Sequence, residues 1–169
     1  MADGILKVGQ ITNSAGSGNI TIGSGVTLLS NTPSFMATSA STSLVTATHT
    51  TLINGTEDWD TNSLYDTSTG IFTVTSSTTG YYFFYATMGT AVITADRISI
   101  NIFKNSTRTL TCETQSDSAG YPAPNVSGAI PLLTNGDYVY VQGYQNSGGT
   151  IALSGELNKN FFGGYKIGV

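Results

Sequence analysis

From Ser68 to the C-terminus the chain is a succession of short runs of β-branched and aromatic residues, separated by residues that tolerate turn backbone. The runs are Ile71-Phe72-Thr73-Val74, Tyr81 to Met88, Arg97 to Phe103, Val126 to Leu133, Tyr138 to Tyr144, Ile151 to Leu157 and Phe161 to Ile167. Ser68-Thr69-Gly70, Thr79-Gly80, Asn105-Ser106, Asn135-Gly136-Asp137 and Ser147-Gly148-Gly149 punctuate them. Branched and aromatic side chains suit a pleated surface, and Gly or Asn accepts the dihedrals of tight turns. Asn135-Gly136 is the strongest hairpin signal. No window sustains apolar residues at helical spacing, because Gly, Thr, Ser and Asn interrupt every candidate. Many short strands at this spacing predict an all-β sandwich or barrel.

Within Tyr81 to Tyr85, alternation sends Tyr82 and Phe84 to one face and Tyr81, Phe83 and Tyr85 to the other. A sheet with one wet face would not be aromatic on both. One set is therefore expected to fill the sandwich and the other to meet neighbouring subunits. Composition agrees: only 9% of the 169 residues are charged, against about 25% in an ordinary soluble domain. With few charges to keep monomers apart, self-association is the default expectation.

The length suits one core of roughly 100–200 residues with a short addition. The lone Cys112 cannot form an internal disulfide. A net charge of −4 with scattered basic residues opposes nucleic-acid binding, which requires clustered cations. No run approaches the ~18 apolar residues of a membrane helix, so membrane insertion is not expected. Met1 to Gly9 carries Asp3 and glycines where a secretory signal would place an apolar core, which points to assembly inside a cell.

Before Pro33 the texture differs. Gly4 to Ile11 and Asn19 to Leu28 are β-prone pieces flanking the Ser14 to Gly18 turn. An isolated two-stranded hairpin is marginal in water, so this segment needs a surface to pack on. Residues 1–32 are expected to form a β-rich attachment arm and residues 33–169 the main domain.

Residues able to support chemistry are sparse. His49 is the only histidine and no nucleophile motif flanks it, so no enzyme and no cofactor are expected. Cys112 reads as a small strand hydrophobe. Asp58, Asp60 and Asn62 copy the opening spacing of a calcium loop, but Ser63 replaces the turn glycine and Thr69 the bidentate Glu, which leaves only a weak metal candidate. Trp59 could meet a subunit or stack on a sugar ring. The stretches Gln115 to Asn125 and Gln145 to Thr150 are expected to be loops, with Tyr121, Asn125, Gln145 and Asn146 as ligand-binding candidates.

Six pieces in order resemble the C1q/TNF-like domain family: Pro33 to Ala37, Leu64 to Val74, Gly80 to Phe84, Ile102 to Asn105, Ser127 to Val139, and Phe162 to Ile167. The resemblance implies a jelly-roll sandwich and a compact homotrimer, with Tyr81, Tyr82, Phe83, Phe84, Tyr85, Phe162 and Tyr165 as core or trimer aromatics. No collagen-like stalk precedes the domain, and Asn160-Phe161 stands where the family usually has small polar residues. The Gly4 to Leu28 segment is similar to the start of small tailed-phage virion proteins. Together these imply a virion structural protein: a C1q-like head held through residues 1–32 on a capsid or tail protein, as decoration, cement or short fibre, with a host surface glycan or protein as its ligand. The alternative is a secreted cellular recognition module of the C1q/TNF type.

Overall fold

The computed structural model describes residues 32–39, 43–91 and 93–169. Thus the proposed arm lies outside the described residues, save for Thr32. In chain order the strands are β1 (Ser34–Thr38), β2 (Ser43–Leu44), β3 (Thr50–Thr51), β4 (Thr56–Asp60), β5 (Tyr65–Asp66), β6 (Ile71–Thr73) and β7 (Gly80–Met88). They continue as β8 (Ile93–Lys104), β9 (Thr107–Gly120), β10 (Asn125–Leu133), β11 (Tyr138–Gln145), β12 (Ile151–Ala152) and β13 (Asn160–Gly168). One turn of 3-10 helix, Leu157–Lys159, precedes β13. No helix among the described residues is long and apolar enough to cross a membrane.

One sheet has the order β10-β7-β13-β1-β4 and the other β5-β6-β11-β8-β9, with β3 also paired to β11 and β2 joined to β12 as a small ribbon. All pairings are antiparallel among the described residues. From β6 onward the chain crosses repeatedly between the two main sheets, as in a jelly roll.

Alternation builds the core. In β7, Tyr82, Phe84, Ala86 and Met88 turn inward and are buried. Ile98, Ile100 and Ile102 of β8, Val139 and Val141 of β11, Phe35 of β1 and Phe162 of β13 complete the same cluster. Phe35 is its hub: its ring lies 4.9 Å from Tyr65, 4.8 Å from Phe72 and 4.9 Å from Phe162. The two buried phenols are satisfied, since Tyr65 donates to the Asn54 carbonyl and Tyr82 to the Thr78 carbonyl. Burial pushes the Tyr65 hydroxyl far above its ordinary pKa.

Three expectations need correction. Gln115 to Gly120 is strand rather than loop, because β9 runs beside β8 from Lys104↔Thr107 to Ile93↔Gly120. Its backbone is paired although its sequence is polar. Asp58 and Asp60, whose spacing copies the opening of a calcium loop, likewise lie on a strand, β4, paired with β1. Charged side chains are common on such edge strands, where they discourage pairing with another chain. Finally, the run Ile151 to Leu157 keeps strand pairing only at Ile151–Ala152, with an isolated bridge between Leu153 and Thr90.

Candidate interaction surface

The face of the β10-β7-β13-β1-β4 sheet that points away from the core carries the other half of the alternating side chains. Cross-strand register arranges them in rows. One row runs Trp59, Met36, Gly163, Tyr85 and Ser127 across β4, β1, β13, β7 and β10. Beside it run Ser34, Tyr165, Phe83 and Ala129, and on the other side Thr38, Phe161, Thr87 and Asn125. The rings are in contact: Phe83 lies 5.6 Å from Tyr165, and Tyr85 lies 6.1 Å from Phe161 at 64°. Such aromatic pairs add about 0.5–1.5 kcal/mol beyond the area they bury.

Gly163 makes this surface possible. A Cβ there would stand 2.5 Å from the Tyr85 hydroxyl oxygen and 2.6 Å from the ring carbon that bears it, so the tyrosine lies down over bare backbone. Burial raises the Tyr85 pKa, with nearby Tyr165 adding to the effect. Exposure remains high further out, at 44% for Tyr81, 44% for Tyr165 and 45% for Trp59. Ile167 and Leu132 are also exposed. A face of this kind, aromatic and largely uncharged, is what a protein partner covers.

The anticipated aromatic residues thus divide by position. Tyr82, Phe84 and Phe162 are core, whereas Tyr81, Phe83, Tyr85 and Tyr165 belong to the outer face. Trp59 and Asn125 join that outer face through β4 and β10. In the sequence Phe161 stood out only as a departure from the family pattern and Met36 only within Pro33 to Ala37, neither as a surface residue. Phe161 needed only the alternation of β13 to be seen, but Met36 becomes a surface residue only through its pairing with Trp59 and Gly163.

Other anticipated residues lie elsewhere. Gln145 is fully buried rather than displayed on a loop. Its amide donates to the Leu44 and Gly149 carbonyls and its oxygen accepts from the Ser147 amide and hydroxyl, so it fastens the turn after β11 from within. Asn146 accepts a hydrogen bond from the Arg97 amide. Tyr121 is 72% exposed on the β9–β10 connection.

Asp60 does not present a free carboxylate. One oxygen accepts from the Asn62 amide at 3.1 Å and the other from the Leu64 and Tyr65 amides at 2.6 and 2.7 Å. The Asn62 side-chain oxygen accepts from the Thr61 hydroxyl, and Asp58 is exposed. The polar cluster is thus a turn that carries the chain from one sheet to the other. No group of three or more His, Cys, Asp or Glu side chains is placed to hold a metal among the described residues.

His49 packs against the Tyr144 ring at 4.9 Å. Partial burial lowers its pKa, with the positive charges of Arg108 and Arg97 acting in the same direction. Cys112 is partly buried on β9 and packs against the core edge with Leu110.

Comparison with known proteins follows this architecture. The family model for the C1q domain matches residues 34–167. Among solved structures, Eiger TNF from S. frugiperda is similar with a TM-score of 0.61 and 17% identity, covering 80% of this chain and 91% of that chain. Murine APRIL at pH 5.0 gives 0.57 and 16%, covering 80% and 99%. The globular domain of zebrafish complement 1qA gives 0.52 and 17%, covering 80% and 97%. No curated protein sequence matches.

Proposed function

The chain belongs to the C1q domain family, and we propose that it works without catalysis, as a homotrimeric head displayed on the surface of a tailed-phage virion. The observation that carries this reading is the outer face of the β10-β7-β13-β1-β4 sheet. Tyr81, Phe83, Tyr85, Phe161 and Tyr165 stand there on two adjacent strands, in a chain whose charged residues amount to 9%. Leaving that surface in water is unfavourable by about 25 cal/mol for each apolar Å2, so copies of the chain gain by covering it. A closed ring of identical subunits covers the face without leaving an open end.

The particle assignment rests on the β-prone, Gly/Ser-punctuated residues 1–32, which would hold the head on a capsid or tail protein as decoration, cement or short fibre. Light scattering on the purified full-length protein should give three times the chain mass, and a monomer would overturn the trimer. Purified virions should contain the chain as protease-resistant trimers. Its absence from particles, with recovery of the chain from the medium of its source cells, would favour a secreted C1q/TNF-type recognition module. As a cement it would raise the temperature at which particles burst. As a knob, soluble head would block adsorption.

A further inference from the structure

A groove of about 490 Å3 runs along the outer face of the second sheet, beside β11. Alternation in β11 buries Val139 and Val141 and leaves Tyr138, Tyr140 and Gln142 on the outside, where they line one side of the groove. Thr51 of β3 and Ser68 and Thr69 of the β5–β6 turn line it as well, with Ile53 and Ile71 supplying apolar surface between them. Register places Phe103 of β8 opposite Tyr140. The rings of Phe103 and Tyr140 are near parallel at 5.2 Å and 16°, and those of Tyr138 and Tyr140 at 6.0 Å and 22°. The result is a strip of three aromatic rings across two strands.

The polar groups beside this strip have capacity to spare. Neither the Tyr138 nor the Tyr140 hydroxyl is hydrogen-bonded to a partner among the described residues. The Gln142 amide reaches only the Thr51 hydroxyl, at 3.4 Å, which is a long bond. No charged side chain among the described residues lines the groove. The nearby Asp66 lies outside the groove's lining and accepts from the Ser68 amide and hydroxyl at 2.8 and 2.6 Å, both at one carboxylate oxygen.

These features restrict the ligand. A phosphate or nucleic acid would need cations, which the lining lacks. A peptide added as a further β-strand would need a free edge, and β11 is paired to β8 on one side and to β6 and β3 on the other. A purely apolar ligand would strand the hydroxyls and the amide without partners. A sugar ring fits both demands, since its C–H face is apolar and packs on aromatic rings while its equatorial hydroxyls donate and accept around the rim. The volume falls within the roughly 300–1,000 Å3 of small-molecule sites.

We propose that this groove binds a neutral oligosaccharide, with ring C–H faces against Tyr138 and Tyr140 and hydroxyls bonded to Gln142, Thr51 and Ser68. The site lies on the sheet that does not carry the aromatic surface described above, and it depends neither on trimer formation nor on a particle.

The test is saturation-transfer NMR and calorimetry on the full-length protein. The probes are maltotriose, chitotriose, mannotriose and a galactose trisaccharide, with sialyllactose as the acidic comparison. At least one neutral trisaccharide should bind with a dissociation constant of about 1 mM or tighter. Tyr140→Ala should weaken it about tenfold or more, while Tyr140→Phe stays within about threefold because the ring is kept. Val45→Ala, at an exposed residue outside the groove's lining, should bind as the parent does. Gln142→Ala removes no core contact and serves if Tyr140→Ala fails to fold; its affinity should fall several-fold. Failure of every neutral probe, binding of sialyllactose alone, or unchanged affinity in both Tyr140→Ala and Gln142→Ala would overturn the site.

Discussion

Adjacent glycines in β13 serve the two opposite faces of one sheet. Gly163 leaves room for Tyr85 on the outside, and Gly164 leaves room for Phe84 in the core, where a Cβ would stand 2.5 Å from a ring carbon and 3.0 Å from the Phe83 carbonyl oxygen. Neither position requires glycine for its dihedrals. Gly164→Ala must displace the Phe84 ring, which is fully buried beside Phe35, Phe72 and Phe162. Overpacking of this kind costs about 1–3 kcal/mol. At about 2–4 °C per kcal/mol for a domain of this size, thermal unfolding should show a loss of a few degrees or more. An unchanged midpoint would mean that the core yields without strain. The pair Gly163-Gly164 was visible in the sequence as part of a motif, but what each glycine faces was not. Gln145 makes the same point more sharply. A glutamine next to Asn146, Ser147 and two glycines reads as surface, and only the four bonds it makes inside the fold explain its burial.

At the level of elements, two turns on different hairpins are clamped together. Asn105 closes the β8–β9 turn with φ +53°, and Gly136 gives the β10–β11 turn its φ of +86°. The Asn105 amide nitrogen donates to the Asp137 carboxylate at 2.9 Å, and its oxygen accepts from the Tyr138 amide at 3.0 Å. Thr134 donates to the other Asp137 oxygen through its amide and its hydroxyl, and the Lys104 ammonium stands 3.2 Å from that oxygen. The Asn105 hydrogen bond, then the Thr134 amide, and the Lys104 contact hold the Asp137 carboxyl well below the usual carboxylate range. The unfolded carboxyl titrates near ~3.9, so the folded state binds its proton less readily. The clamp therefore stabilises fully above that value and is lost as the pH falls through and below it. In urea unfolding, Asp137→Ala should be less stable than the parent at neutral pH, with the gap narrowing below about pH 4. A gap independent of pH would assign the effect to packing instead. The sequence marked both turns through Asn105-Ser106 and Asn135-Gly136-Asp137, since turn chemistry is local. It did not reveal β4 and β9. Their polar residues carry little apolar alternation, so only pairing makes them strands, β4 with β1 from earlier in the chain and β9 with β8 across the Asn105-Ser106 turn.

For the whole molecule, the proposed association through the aromatic face can be tested by a single substitution. Phe83→Glu places a charge on that face while leaving the inward residues of β7 untouched, so it should yield a folded monomer. Circular dichroism like the parent's, with light scattering at one chain mass, is the expected result. A variant that remains trimeric would move the subunit contact to another surface. Because association stabilises the folded state, the parent's unfolding temperature should rise with protein concentration and that of Phe83→Glu should not. The amino-acid sequence alone carried the all-β class, the strands β6, β7, β8, β10, β11 and β13, the turns that punctuate them and the two-faced aromatic character of β7. Those properties follow from local alternation and turn chemistry. The folded arrangement settled which aromatic face is inside, that Trp59, Met36 and Tyr85 share one row, and that Tyr138, Tyr140 and Phe103 form one strip. Such neighbourhoods depend on strand order and register, which bring together residues far apart in the chain.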